Sequence, residues 1–535
     1  MNRTLPYILL SLLCGVLFVW RLGSVPLIGL DEGLYAECSR EMLVSGDYVV
    51  PTCNGKLFLD KPPLGYWLQA ASMRVFGANS FAARLPSAIA SVVLIGFTVF
   101  LGHKLYSRRA GLMAGYMLAT AILTAWLARL ALLDHLFSLA IAVSLGAFLL
   151  SYLGFWTRRG YVLFWAAMGV SVLVKGPAGM VLICAIVGAF LLLSCRKHSF
   201  WCEILRVVPI AGVLVFLAIV LPWYVIVQVR TGGSFAGEFF VHQNLKRAMG
   251  SDFAHNQPFW FYLPVFLAGF FPWSVFVPSG LATQLKQASR DASAMASLFA
   301  VIWMVAIIGL FSLSRSKLVH YIFPMYPAAA LLVGSMWSRE IDSDKTLLLR
   351  KYSWAVLVVA LLLGVAFQAA PHFLREAIPG LSPVLTAMAL SIVIGAIVSI
   401  VLLVYKRSFG AFVALCAGMS VFMSIAVLAG LPLASRSLSG SMIEMSRQIT
   451  DMASKTDAVI SYRLSPPQPA MGFYAKRPVM SISDPNDLKK ALGGRVSYVV
   501  IQDKYFSELP KGGVLVCRTD KHLLYRFALS QSRGN

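Results

Sequence analysis

Residues 1–37 read MNRTLPYILLSLLCGVLFVWRLGSVPLIGLDEGLYAE, an apolar run from Leu5 to Trp20 followed after a short loop by the acidic pair Asp31-Glu32. The run approaches the ~20 residues a helix needs to cross a ~30 Å hydrocarbon core. A basic flank at Arg3 also suits a cleavable signal peptide, but no small-x-small site follows, and bulky Leu13 before Cys14 speaks against lipoprotein processing. The segment is therefore read as an uncleaved first helix with its N-terminus in the cytoplasm. Comparable stretches recur to Leu433, beginning near Leu5, Pro86, Gly111, Asp134, Tyr161, Ala178, Val207, Pro258, Ala296, Val319, Ser353, Leu385 and Ala411, about thirteen spans. The gap around Lys175 is short enough to leave two of them open to merging into one.

Composition agrees. With 58% hydrophobic and 13% charged residues among 535, a soluble core is excluded as the main body. The formal charge of +23 fits nucleic acid, anionic headgroups or an anionic lipid-borne substrate, and so apolar a chain favours the last two over nucleic acid. A cytoplasmic N-terminus places Lys104, Arg108, Arg109, Arg158, Arg159, Arg196, Lys197, Lys286, Arg290, Lys345, Arg350, Lys351, Lys406 and Arg407 inside, as the positive-inside rule requires. Cations that topology does not require lie outside: Arg40, Lys56, Lys61, Arg74, Arg84, Lys246, Arg247, Arg315 and Lys317 are candidate anion ligands.

An odd number of spans sends the C-terminus outside. There the division falls into a membrane domain, 1–435, and a small α/β domain, 436–535. The latter reads as a helix over Ser441–Ala453, strands at Ala458–Tyr462, Val496–Ile501, Val514–Cys517 and Leu523–Phe527, and a helix over Asp487–Leu492 after the turn Asp484-Pro485-Asn486.

The first external loop, residues 21–85, concentrates reactive side chains. Glu32 to Leu43 fits an amphipathic interfacial helix with Leu34, Cys38 and Met42 on one side. Asp31 at its start is read either as a helix cap or as a partly desolvated carboxylate able to take a proton. Lys61, between Asp60 and Pro62-Pro63, is either a turn residue or a point charge aimed at a phosphate. Of the eight cysteines only Cys38 and Cys53 share an external loop, where an oxidising compartment could join them. Further groups are Glu238, His242, Asn244, Lys246, Arg247 and His255, then Ser314 to Pro324, and Asp134 beside Arg129 and His135. Asp134 is read either as a functional carboxylate or as a helix-orienting salt bridge.

Together these segments resemble the lipid-linked-sugar transferases of the GT-C superfamily, specifically the bacterial aminoarabinose lipid A transferases and their relatives the protein O-mannosyltransferases. The resemblance runs in order through Asp31-Glu32, Tyr35-Ala36-Glu37, Arg40 to Leu43, Asp60-Lys61-Pro62-Pro63, Lys175-Gly176-Pro177, Phe239-Phe240 with His242 and Arg247, His255 with Pro258 to Tyr262, and Lys317-Leu318 with Tyr321-Ile322. It implies an all-α polytopic GT-C fold with external amphipathic helices, acting as a monomer in the bacterial inner membrane with its C-terminal domain in the periplasm. The implied reaction moves 4-amino-4-deoxy-L-arabinose from undecaprenyl phosphate to a lipid A phosphate, the modification behind polymyxin resistance. Lys61, Arg247 and Tyr321 would hold the departing phosphate, and Asp31 and Asp134 would be the acidic residues of the site. Asp60 and His242 would pair on a divalent metal (Zn, or Mg/Mn), with Glu32, Lys175, His255 and Lys317 as further site candidates. Relatives commonly carry Glu where this chain has Asp60. The alternatives are transfer of another sugar to a protein or glycan hydroxyl, a lipid or anion transporter, and an assembly protein that keeps the fold without the chemistry.

Overall fold

The computed structural model describes residues 4–194, 200–239, 256–285, 291–344, 346–374, 378, 380–454, 456–464, 470–493, 495–519 and 522–528. Helices up to residue 230 are α1 (Leu5–Cys14), α2 (Gly29–Ser45), α3 (Leu64–Phe76), α4 (Ser80–Leu105), α5 (Arg108–Thr120), α6 (Ile122–Ala128), α7 (Asp134–Tyr152), α8 (Gly160–Lys175), α9 (Ala178–Ser194), α10 (Phe200–Val207) and α11 (Ile210–Arg230). Two compact units result: Met1–Leu22, Leu59–Gly65 and Arg84–Gly430 form the first, and Gly23–Phe58, Tyr66–Ala83 and Leu431–Asn535 the second. This grouping differs from a division at residue 435, because most of the external loop packs with the C-terminal residues.

The first unit is helical, as a chain without water to satisfy its backbone must be. Among the described residues, eight helices are long and apolar enough to cross a membrane. Two bent pairs, 108–128 at 65° and 259–282 at 110°, and three shorter apolar helices, 5–19, 160–175 and 178–194, complete the thirteen stretches expected. This is a multi-pass membrane protein. At Lys175 the chain divides into two helices, α8 and α9, because Gly176 takes φ +80°, a turn only glycine makes without strain.

Two buried arginines organise the end of the first apolar run, where helix carbonyls lack intrahelical donors. Arg129 donates from Nη1 to the carbonyls of Leu17 (3.1 Å) and Trp20 (3.0 Å) and from Nη2 to that of Arg21 (3.2 Å). Arg84 donates from Nη1 to Leu22 O at 3.1 Å. Arg84 is thus a backbone clamp, not the external anion ligand suggested by its position. Close helix packing rests on small residues. A Cβ on Gly111 would sit 2.5 Å from Val99 O and 2.7 Å from His103 N on α4. Gly111→Val therefore forces α4 and α5 apart, with an expected loss of about 1–3 kcal/mol, to be read as a lower unfolding temperature of the detergent-purified protein.

The second unit carries a five-stranded sheet of order β4-β3-β5-β7-β6, with β3 (Ala458–Tyr462), β4 (Val479–Ile482), β5 (Ser497–Gln502), β6 (Gly513–Arg518) and β7 (His522–Phe527). Strand β3 runs parallel to β4 and β5, while β7 is antiparallel to β5 and β6. Alternate residues feed two cores: Val459, Tyr498 and Val500 pack with Met445 and Ile449, and Ile460, Val499 and Ile501 pack with Leu488 and Leu492. Asp484 caps helix Pro485–Leu492 by accepting from Asn486 N at 2.7 Å.

The external loop supplies α2 and a two-stranded hairpin, β1 (Thr52–Cys53) with β2 (Lys56–Leu57). Helix α2 forms where expected, but Tyr35, Ala36, Cys38, Ser39, Arg40 and Met42 are all buried, so it is enclosed on nearly every face instead of lying amphipathically at an interface. Its neighbours explain this. Tyr35 meets the Tyr66 ring at 5.9 Å, Ser39 donates to Gln69 Oε1 at 2.9 Å, and a Cβ on Gly33 would lie 2.7 Å from Ala470 N.

Candidate active site

In the first unit, the acidic start of α7 meets the basic end of α8. Lys175 Nζ lies 2.6 Å from Asp134 Oδ1, with both side chains largely buried and the ammonium 5.4 Å from the centre of the Phe137 ring. The partner of Asp134 is therefore Lys175, forty-one positions away in sequence, and not the adjacent Arg129, whose guanidinium clamps carbonyls. Buried His135 places Nε2 3.1 Å from Thr124 O and stands edge-on to Phe323 at 4.5 Å. The 3₁₀ segment Val319–Met325, which bears Tyr321, packs on α7. Tyr321 sits against Phe311 at 5.4 Å. Lys317 is held back from solvent, donating to Gln257 O at 3.0 Å and to Ser314 O.

Beside the Lys175 turn lies a cavity of about 510 Å³ lined by Val172, Pro177, Met180, Phe216, Tyr224 and Phe235 among others. Its walls are almost wholly apolar. The cavity thus lies along the break between α8 and α9, where Val172 and Pro177 line it and the largely buried Lys175 turns to Asp134.

Asp60 and Lys61 pair at 2.8 Å, each about one-sixth exposed. An ammonium therefore already neutralises the carboxylate proposed for a metal, and His242, the other half of that pair, lies outside the described residues. Among the described residues no three His, Cys, Asp or Glu side chains group to hold a metal ion. Arg247 and His255 also lie outside the described residues.

In the second unit the two acids at the start of α2 have separate roles. Glu32 is buried and accepts from Ile28 N at 2.6 Å, closing the first turn in the manner of a capping box. Asp31 is half-buried and, among the described residues, has no hydrogen-bond or ion-pair partner. The acid that closes the first turn on Ile28 N is thus Glu32, and among the described residues the Asp31 carboxylate stays uncommitted. Beneath it, Arg40 grips Glu37 with two 2.7 Å bonds, a buried pair that sequence reading passed over although Glu37 and Arg40 are spaced one helical turn apart.

A family described as dolichyl-phosphate-mannose-protein mannosyltransferase matches residues 60–226. An undecaprenyl phosphate-alpha-4-amino-4-deoxy-L-arabinose arabinosyl transferase of Pseudomonas paraeruginosa is 32% identical over 367 residues, 68% of this chain and 65% of its own length. The chain thus spans just under two thirds of that relative. An uncharacterized protein of Aquifex aeolicus is 30% identical over 373 residues, 69% of this chain and 81% of its own. In fold, the chain is similar over its full length to ArnT from Cupriavidus metallidurans bound to undecaprenyl phosphate, with TM-score 0.85 at 24% identity and complete coverage of both chains. It is also similar to the oligosaccharyltransferase AglB of Archaeoglobus fulgidus, with TM-score 0.54 at 13% identity, covering 99% of this chain and 74% of that one.

Proposed function

The chain belongs to the bacterial aminoarabinose lipid A transferase family of the GT-C superfamily, and from that premise we propose that it transfers 4-amino-4-deoxy-L-arabinose from undecaprenyl phosphate to a lipid A phosphate. The observation that carries the reading is the largely buried Lys175–Asp134 pair at the α8–α9 break, whose flanking Val172 and Pro177 line an apolar cavity with space for a prenyl chain. Transfer takes place at the periplasmic face of the inner membrane, with the N-terminus in the cytoplasm and the C-terminal domain in the periplasm. The protein acts as a monomer.

The bond that breaks joins the sugar's anomeric carbon to a phosphate oxygen, so the leaving group gains charge as it departs. Lys61, Arg247 and Tyr321 stabilise that charge electrostatically, with Lys175 and Lys317 as further cations of the site. Asp31 is assigned to the acceptor half of the reaction. A lipid A phosphate is already ionised, so the carboxylate orients it and need not deprotonate it. Asp134 holds Lys175 in place until the donor phosphate arrives, and His255 is a further candidate of the site. A divalent metal between Asp60 and His242 would share the carboxylate with Lys61, which bonds Oδ2, while Oδ1 is buried without a hydrogen bond among the described residues; no step is routed through one.

Two substitutions test the assignment. Asp31→Asn and Lys61→Ala each lower the rate of transfer by about 10²-fold or more while the protein is still recovered folded. Wild-type rates in both variants, measured on purified enzyme with lipid-linked aminoarabinose, would remove these residues from the site.

A further inference from the structure

Cys38 on α2 and Cys53 on β1 are both buried, at 0% and 7% exposure, and the strand that carries Cys53 packs on α2. Their meeting is set by surrounding bonds. Glu41, one turn after Cys38 on the same face of α2, accepts from Thr52 Oγ1 at 2.6 Å and from Gly55 N at 3.1 Å, which presses the hairpin turn bearing Cys53 onto that face. Next to Cys53, Asn54 donates to its sulfur at 3.8 Å and accepts from Val479 N at 3.0 Å, tying the hairpin to β4. All six described cysteines, Cys14, Cys38, Cys53, Cys184, Cys416 and Cys517, are free thiols in the structure, and among them Cys38 and Cys53 share one external loop.

We propose that Cys38 and Cys53 are joined as a disulfide in the mature protein, locking the helix that carries Asp31 to the β1–β2 hairpin. The proposal rests on the reading that this loop faces the oxidising side of the membrane. Cys38 is fully enclosed while Cys53 keeps a small exposure, so the exchange opens at Cys53. The Cys53 thiolate attacks the disulfide of a thiol–disulfide oxidant, forming a mixed disulfide and releasing one oxidant thiolate. The Cys38 thiolate then attacks Cys53 Sγ and expels the second. Two electrons pass to the oxidant, and the two cysteine protons end on its thiols. A ring closed by so short a loop restrains the unfolded chain and fixes the register of α2 against the hairpin.

The test is peptide mapping of protein trapped in cells by acid quench and alkylated under denaturing conditions before reduction. A Cys38–Cys53 cross-linked peptide, two hydrogens lighter than its thiol parts and split by reductant, is expected. A companion variant, Val44→Cys at an exposed site on the same helix, is labelled in intact spheroplasts by an impermeant maleimide. Alkylated Cys38 and Cys53 together with a labelled Val44→Cys would overturn the disulfide itself. Alkylated thiols with Val44→Cys reached only from the cytoplasmic side would overturn the topology, and the disulfide with it.

Discussion

Asp134→Ala destabilises the protein by about 3–5 kcal/mol, because it strands the buried Lys175 ammonium whose ion-pair partner it was, at 2.6 Å. Lys175→Ala strands the carboxylate instead and has a comparable effect. The double variant Asp134→Asn/Lys175→Met behaves differently: with both charges gone and the volumes nearly kept, nothing uncompensated remains, and most of the stability returns. Sugar transfer does not return with it, because the Lys175 cation is still missing, and the rate stays about 10²-fold or more below wild type. Thermal unfolding of detergent-purified protein reads the first effect and turnover of lipid-linked sugar the second. Recovery of both in the double variant would make the pair a structural brace and nothing more.

Arg129→Ala has the other large expected effect. Its guanidinium serves three carbonyls at the end of the first apolar run, and each is a group that membrane-facing structure cannot leave unpaired. Hydrogen bonds from a charged donor contribute about 1.5–3 kcal/mol each. Even with partial relaxation the variant loses on the order of 4 kcal/mol and accumulates poorly in the membrane. Arg129→Lys restores only part of this, since a single ammonium cannot span the carbonyls of Leu17, Trp20 and Arg21 as a planar fork does. Expression level and unfolding temperature decide it; an Arg129→Ala protein of normal yield and stability would contradict the clamp.

What the sequence disclosed and what it withheld divide along one physical line. Apolar runs are local, so every expected membrane stretch became a helix, and the alternating strands at Ala458–Tyr462 and Leu523–Phe527 formed within a residue of their expected limits. Strand β4 at Val479–Ile482 was missed because four residues behind Pro478 carry too little pattern to be distinguished from a loop. Pairings across distance were hidden. Nothing near Asp134 names Lys175, and the neighbouring Arg129 spends its guanidinium on carbonyls. Asp31 and Glu32 illustrate the same limit at short range. Either acid could close the first turn of α2 by type, and only the 2.6 Å bond from Ile28 N assigns that role to Glu32. The buried surroundings of α2 were equally invisible, since they come from α3, the hairpin and residues near Ala470, more than 400 positions downstream.

The central claim is that this chain adds an amino sugar to lipid A. Mass spectrometry of lipid A from cells with and without the protein, in a strain that makes the lipid-linked donor, tests it most directly. Species heavier by one amino-pentose are expected only when the protein is present, and they are lost in the Asp31→Asn background. Unchanged lipid A, with a sugar increment on a protein or glycan instead, would contradict it.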